Sequence, residues 1–437
     1  MTAASSEQVR HSDKFYMLVA TGARMALSLA TFVVIVRYLG PANFGFYAAC
    51  LAVASVIAAL TDFGLATSSL RAASMDRSRS AEIVGDALAL KVGFSLLAML
   101  VAGGCALLFV SGDEWLVFLL LLVGMIAYSL ADLAMVAARV NRQFFLEARI
   151  VVLTGVAMFG VVAAVAAATK SLLAVAIAFA ATRLGYLLFA RFEMRRLLQP
   201  LKQFGRSLSD LVRTLRSAGA YALDSILTMV SGQIDVIVFA TMLTLAELGT
   251  YQAGARLTQV IVPFAAMLSS VYLPALSTSL AKPDPTGNFK SLSGRLTLEF
   301  LILSILGCLV FLFGGPIVTE YVYGPDFASL DLLWPAFAIY ALFRFAAAGF
   351  GIQLVALGLI RQRIVSQIVS LAIFLALSLA ILPTHGYEST AWIMASMGLS
   401  AFLVLGISLA RTGAKHNAVL FSLVVIPAGA ALLAALT

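Results

Sequence analysis

The stretch YALDSILTMVSGQIDVIVFATMLTLAELGTYQAGAR, residues 221–256, decides the fold because it is a long apolar run with polar residues on one side. The polar residues recur at i, i+4, i+7 and i+11, a spacing that places them on one face of a helix. They are Asp224, Thr228, Ser231 and Asp235. A short polar turn follows, and a second apolar run begins at Tyr251. The stretch therefore predicts two hydrophobic helices, the first with a polar stripe.

The same pattern occurs once before, at an offset of 204 residues. FGFYAAC at 44–50 aligns with LGTYQAG at 248–254, which matches Gly45 to Gly249. At this offset a polar stripe on the first apolar run falls on residues 225–235; its members are Thr21, Arg24, Ser28 and Thr31. The sequence therefore predicts two related halves, each beginning with a polar-striped helix.

The composition is that of a membrane protein. Of 437 residues, 62% are hydrophobic and 11% are charged, and the mean hydropathy is +1.02. Several apolar runs reach the roughly 20 residues that a helix needs to cross a bilayer. The net charge of +8 comes from basic residues in short loops, which the preference of cytoplasmic loops for Lys and Arg explains, so no nucleic-acid partner is expected.

The apolar runs predict an all-α, polytopic fold with six spans in each half. The spans lie at about 14–38, 45–65, 83–110, 115–138, 150–168, 172–190, 218–245, 251–279, 296–315, 330–357, 364–382 and 390–410. They define an N-lobe at 1–190, a basic amphipathic bridge at 191–217 and a C-lobe at 218–411. The apolar tail at 412–437 is long enough for a thirteenth span.

The loop charges orient these spans. Loops that alternate to one side, together with the N-terminus, carry 22 Lys and Arg, whereas the opposite loops carry only Lys170. This bias predicts that the N-terminus and the bridge are cytoplasmic, with the bridge along the anionic lipid surface.

Four motifs carry a resemblance to a known family. They are RYLGPANFGFYAA (37–49), LTDFGL (60–65), GQIDVIVFATMLTLAELGTYQAGARL (232–257) and YGPDFASLDLLWPAFAIY (323–340). The chain resembles the polysaccharide-transporter branch, the Wzx-type oligosaccharide flippases, of the multidrug/oligosaccharidyl-lipid/polysaccharide (MOP) exporter superfamily. The resemblance implies two six-helix lobes around a central cavity, lined in part by the first and seventh helices, and alternating access of a lipid-linked oligosaccharide. Polysaccharide polymerase and other glycan-assembly proteins are expected partners.

Six bases remain inside the predicted spans once the loop cations are counted, and four acids are similarly placed. The bases are Arg24, Arg37, Lys91, Arg183, Arg256 and Arg344, and the acids are Asp132, Asp224, Asp235 and Glu299. A charge in the membrane is costly, so each should face a cavity, a partner or the interface. We interpret Arg37 and Arg183 as lying near span ends, where their side chains reach the interface.

The excess of bases suits an anionic substrate such as a diphosphate. Arg24 and Arg344 are the predicted core of the anion site, with Lys91 as an auxiliary and the hydroxyls of Thr21, Ser28 and Thr31 beside Arg24. A second repeat register, at an offset of 212, aligns Asp132 with Arg344. The alternative is that such acids and bases only neutralise each other.

Asp235 is the predicted ion-coupling residue, with Asp224 as second choice and H⁺ or Na⁺ as the ion. Asp235 is also a candidate charge partner of Arg256. No other chemistry is indicated: the three cysteines are isolated, the three histidines lie in loops or the tail, and the sequence has no nucleophile elbow or Walker loop. We therefore expect a protein without enzymatic activity, cofactor or metal.

Three functions remain open from the sequence. The first is a flippase for an undecaprenyl-diphosphate-linked oligosaccharide in O-antigen, capsule or exopolysaccharide synthesis, of which a lipid II flippase is a close variant. The second is a multidrug or organic-cation antiporter, whose cavity would favour acids and aromatic residues. The third is a membrane scaffold for glycan assembly that transports nothing, for which the polar stripes would be dispensable.

Overall fold

The computed structural model describes residues 11–412, apart from 110, 111, 113, 199–214, 216, 217, 220, 221, 223–225, 227, 260 and 280–284. All regular secondary structure in this part of the chain is helical. Eight helical stretches within it are long and apolar enough to cross a membrane. The predicted all-α, polytopic fold is confirmed. Most of the predicted bridge, and the tail beyond residue 412, lie outside the described residues.

The helices of the first half begin with α1, His11–Asp62, and α2, Leu65–Met75, followed by a 3₁₀ turn at Arg77–Arg79. The remaining helices are α3 (Ser80–Phe109), α4 (Glu114–Val140), α5 (Phe144–Thr169) and α6 (Leu172–Met194).

The second half begins with the short helix α7, Ile234–Ala240. It continues with α8 (Leu245–Thr258), α9 (Ile261–Ser279), α10 (Pro285–Ile317), a π-helical turn (Val318–Tyr323), a 3₁₀ segment (Pro325–Leu332), α11 (Trp334–Ala356), α12 (Ile360–His385), a 3₁₀ turn (Gly386–Ser389) and α13 (Thr390–Ala410).

Helix α1 contains the first two predicted spans and is broken between them. Its 52 residues would reach about 80 Å if straight, against roughly 30 Å for the hydrocarbon of a bilayer. Gly40 has φ 72° and ψ 171°, a conformation that a side chain would make costly. Pro41 follows at the start of the next helical segment, where its missing N–H leaves no hydrogen bond unmade.

The internal contacts divide the chain into two units. The first comprises residues 1–39 and 46–237, and the second comprises 40–45 and 238–437. The sequence placed the start of the second lobe at residue 218, whereas the contacts place this boundary after Ile237. Six residues of α1 also belong to the second unit, because they pack against α8.

Each unit is built around one largely buried helix. In the first unit this is α4, in which every residue from Leu133 to Ala138 is buried. In the second it is α11, which is buried from Trp334 to Leu354 except along one half-buried face that includes Tyr340, Arg344 and Ala348. A helix that is apolar on every face is stable only when other helices surround it. Lipid-facing helices pack around these two, and α4 therefore sets the positions of the polar groups described below.

Two helical segments of the second unit approach closely at Gly45 and Gly249, the pair that the internal repeat aligns. A Cβ atom added to Gly45 would stand 1.8 Å from the carbonyl oxygen of Leu245. One added to Gly249 would stand 1.9 Å from the carbonyl oxygen of Pro41. Each glycine therefore lies against the backbone of the segment that carries the other, and neither position has room for a side chain.

Replacing Gly249 with alanine should destabilise the protein, because the obstruction is backbone and cannot rotate away. We expect a loss of about 1–3 kcal/mol, the usual cost of overpacking, seen as a lower melting temperature of the purified protein in detergent. Gly160→Ala is the matched control: nothing lies within 4 Å of its added Cβ, so it should melt at or above the wild-type temperature. Equal melting of the two variants would contradict the close contact.

Candidate functional site

The first unit holds a group of charged and tyrosine side chains in its membrane-spanning helices, which we call the polar cluster. Its members are Arg24 from α1, Tyr128, Asp132 and Arg139 from α4, Glu147 from α5, and Arg183 and Tyr186 from α6. The three α4 residues are spaced i, i+4 and i+11, which puts them on one face of that helix.

Two arginines share the carboxylate of Asp132. Arg139 Nη2 donates to Asp132 Oδ1 at 2.8 Å and lies 2.9 Å from Glu147 Oε1. Arg24 Nη1 stands farther from Asp132 Oδ1, at 3.6 Å, and donates instead to the hydroxyl of Tyr128 at 3.1 Å. Asp132 therefore belongs first to Arg139, and the guanidinium of Arg24, whose side chain is 36% exposed, keeps donors for another acceptor.

These contacts bear on the alternative that Asp132 neutralises Arg344. The Asp132 carboxylate has two arginine partners within its own unit. Arg344, half-buried in α11, forms no hydrogen bond or ion pair with any residue that the structure describes. An Asp132–Arg344 pair would join the two units and stays an open alternative, and Arg344 stays a predicted anion ligand.

Arg183 lies deeper than the sequence suggested. It is the twelfth residue of α6, and its guanidinium carbon stands 4.3 Å from the centre of the Tyr128 ring and 5.3 Å from that of Phe179. The interpretation that Arg183 lies near a span end, with its side chain at the membrane interface, was therefore wrong. The aromatic rings hold the cation by its charge and so fix it beside Tyr128.

Lys91 is 1% exposed, and its ammonium is already occupied. It donates to the carboxylate of Asp62 and to the carbonyl oxygen of Ser129, the latter at 2.8 Å. This is the arrangement of a structural ion pair that joins α1, α3 and α4. The role of Lys91 as an auxiliary ligand of the anion site stays a prediction.

The hydroxyl-bearing residues predicted beside Arg24 differ in their exposure. Thr21 and Ser28 are exposed, and Arg24 between them is half-buried. Thr31 is buried and donates to the carbonyl oxygen of Leu27 at 2.7 Å. Because this hydroxyl hydrogen bonds within its own helix, Thr31 is less suited to contact a substrate.

The predicted coupling residue lies at a break in the seventh predicted span. A turn at Gly232 and Gln233 interrupts the helix, and Asp235 is half-buried in the first turn of α7. Arg256 is half-buried in the last turn of α8, and both residues take part in interactions. Asp224 lies outside the described residues.

Sequence reasoning missed Tyr186, Arg139, Glu147 and Asp62 as members of these networks. Arg139 lies one residue beyond the fourth predicted span, at 115–138, and so counted among the cytoplasmic loop cations. A signal was present in α4, because Asp132 and Arg139 are seven residues apart and therefore share a face. Nothing in the sequence pairs Lys91 with Asp62, since they lie on different helices.

Removing the Lys91 charge should destabilise the protein by leaving the Asp62 carboxylate unpaired. For Lys91→Met we expect a loss of about 3–5 kcal/mol, the usual cost of breaking a buried pair, measured as a lower melting temperature. Combining Lys91→Met with Asp62→Asn should recover most of the lost stability. The control is Arg79→Gln, which breaks an exposed pair with Glu82 and should leave the melting temperature nearly unchanged. A double variant that is stable but supports no surface glycan would instead assign Lys91 to substrate binding.

Several solved structures of transporters have a fold similar to that of this chain. The structure is similar to that of the lipid II flippase MurJ in an inward closed conformation, with a TM-score of 0.73 and 13% identity over 94% of this chain and 90% of that one. It is also similar to an inward-facing multidrug resistance MATE family transporter of the MOP superfamily, with a TM-score of 0.61 and 12% identity over 93% and 99% of the two chains. The Vibrio cholerae MATE transporter VcmN, in its bent form, gives a TM-score of 0.55 and 13% identity over 94% and 97%.

At these identities the structures show the fold, and the sequence model shows the family. No curated protein has significant sequence similarity to the chain. Residues 12–280 match the model of a family described as "Polysaccharide biosynthesis protein", which is more than half of the chain. The chain belongs to this polysaccharide biosynthesis family, and its fold is similar to that of a solved transporter of the MOP superfamily.

Proposed function

We propose that this protein is a flippase that moves an undecaprenyl-diphosphate-linked oligosaccharide from the cytoplasmic to the outer leaflet of a bacterial inner membrane, for surface polysaccharide synthesis. The observation that carries the proposal is the state of Arg24. Its guanidinium is only loosely paired with Asp132 and is half-exposed in a membrane-spanning helix. A cation held in this way is available to an anionic headgroup.

The chemistry suits a diphosphate. A guanidinium offers two parallel N–H donors to two oxygens, which an ammonium cannot do. The tight Asp132–Arg139 pair keeps the carboxylate in place while Arg24 exchanges a weak contact with Asp132 for a phosphate oxygen. Arg344 is the proposed second ligand. The lipid tail would remain in the bilayer.

The composition of the polar cluster favours this substrate over an organic cation. It contains three arginines against two carboxylates, and both carboxylates already bind Arg139. A site for a cation would instead need a free acid. The scaffold alternative predicts no requirement for the half-exposed arginine at all.

Replacing Arg24 tests this function. Arg24→Lys should impair the appearance of surface glycan in a deletion strain and Arg24→Ala should abolish it, because the first keeps the charge and loses the paired donors. The same order is expected at Arg344. Removing hydrogen bonds to a charged group should lower the affinity for the diphosphate substrate roughly ten- to a hundredfold. Lipid-linked repeat units should accumulate in the same strains.

Arg195→Ala is the matched control at equal membrane expression. This arginine also lies over an aromatic ring, that of Phe192 at 4.0 Å, but at the end of α6 and outside the polar cluster. It should leave the surface glycan unchanged. Normal glycan in Arg24→Ala, or rescue of Arg344→Gln by Asp132→Asn, would refute the anion-site assignment of the residue concerned.

For ion coupling we propose Asp235, with H⁺ or Na⁺ as the ion. A carboxylate at an interruption of a membrane helix can bind and release a cation as access alternates. Asp235→Asn should abolish gradient-driven transport in proteoliposomes without affecting insertion. Asp331→Asn, at an exposed site in the 3₁₀ segment, should transport normally. Full activity of the Asp235 variant would remove it as the coupling residue.

The proposed orientation places the N-terminus and the bridge in the cytoplasm. In a chain whose three native cysteines are replaced by alanine, a cysteine at Ser111 should react with an impermeant thiol reagent in intact spheroplasts. A cysteine at Ser207 should react only after lysis. Labelling of both cysteines from outside would contradict the proposed orientation.

A further inference from the structure

We infer that Arg183 and the hydroxyl of Tyr186 form a second, deeper part of the anion site and bind a phosphate group together with Arg24. This inference rests on the proposed function and deepens it, because it assigns two residues that the sequence had not placed in the site. It concerns only the first unit, where all three side chains lie.

The first observation is that both groups lack a hydrogen-bond partner. Arg183 Nε is buried and unbonded, and Arg183 forms no hydrogen bond or ion pair with any residue in the described part of the chain. The Tyr186 hydroxyl, on a residue that is 5% exposed, is likewise unbonded there. A buried polar group without a partner is costly. Two such groups three residues apart on one helix indicate a common acceptor that binds both.

The second observation is the charge of the polar cluster. Arg139 uses both nearby carboxylates, and Arg24 has only a 3.6 Å contact with one of them. Arg183 has only aromatic rings. A cation–π contact stabilises a cation but cannot neutralise it. The polar cluster therefore carries one positive charge more than its acids balance, in surroundings where an unbalanced charge is expensive.

The third observation is the placement of the guanidinium groups of Arg24 and Arg183. Their central carbons stand 5.9 Å and 4.3 Å from the centre of the same Tyr128 ring. They are thus no more than about 10 Å apart. A phosphate or diphosphate can bridge such a distance when each guanidinium nitrogen lies ~2.8 Å from an oxygen. The Tyr186 ring is 5.9 Å from that of Tyr128, so its hydroxyl is close enough to complete the group.

A purely structural role makes the opposite forecast. If Arg183 only packs on its rings and Tyr186 only fills space, Tyr186→Phe removes an unsatisfied buried hydroxyl and should leave binding unchanged while the protein becomes no less stable. If both groups bind an anion, the same change should weaken binding without lowering stability. Tyr186→Phe is therefore informative even if variants of Arg183 fail to fold.

The experiment measures binding of farnesyl diphosphate to the purified full-length protein in detergent, with farnesol as the reference for tail partitioning. We expect Arg183→Gln to weaken the diphosphate affinity roughly ten- to a hundredfold and Tyr186→Phe to weaken it about fivefold. Arg183→Lys should fall between wild type and Arg183→Gln, because it keeps the charge and loses the paired donors. Farnesol binding should be the same in all variants.

Arg195→Gln and Tyr321→Phe are the matched controls, since both lie outside the polar cluster, and Tyr321 is exposed. They should bind the diphosphate as wild type does. Wild-type affinity in both Arg183→Gln and Tyr186→Phe would overturn the inference. If Arg24→Ala still lost affinity in that case, the proposed function would stand. No preference of the wild type for farnesyl diphosphate over farnesol would overturn the inference, and normal surface glycan in Arg24→Ala would separately count against the proposed function.

Discussion

The free-energy cost of a charge inside the membrane determines how the charged side chains of the first unit are arranged. Each of them must have a partner or remain available for one. The partners form a graded series. Lys91 is buried against Asp62, and Arg139 is held by two carboxylates. Arg24 is held weakly, and Arg183 has only aromatic rings. The fully paired groups join helices, whereas the weakly paired ones are the proposed anion ligands.

The sequence predicted the helices well because hydrophobic periodicity is a local property. It also identified Arg24 and Asp132, which stand out as charges in apolar runs. It could not predict which of the polar and charged side chains contact each other. Lys91 and Asp62 are 29 residues apart, and Arg24 and Tyr128 are 104 apart, so these contacts depend on how α4 packs against its neighbours. The depth of Arg183 was missed for the same reason: its position depends on the Tyr128 ring of another helix.

The hydroxyl-bearing residues show a second limit of sequence patterns. Many Ser and Thr side chains in these helices donate to a carbonyl oxygen three or four residues earlier, as Thr31, Ser55, Thr154 and Ser304 do. A hydroxyl satisfied in this way can face lipid or lie in a core at little cost. A stripe of Ser and Thr on a helix therefore indicates a water-lined surface only where ionisable side chains accompany it. Arg24 is such a side chain, between Thr21 and Ser28.

The reciprocal contact of Gly45 and Gly249 bears on how the protein evolved. Each glycine meets the backbone of the segment that carries the other, which is the pattern of an isologous contact between two identical copies. If the halves arose by duplication of one gene, the ancestral polypeptide met its own twin here about a twofold axis. Fusion of the genes would then have made an obligate homodimer into one chain. A reconstructed half-length ancestor that remained monomeric would contradict this history.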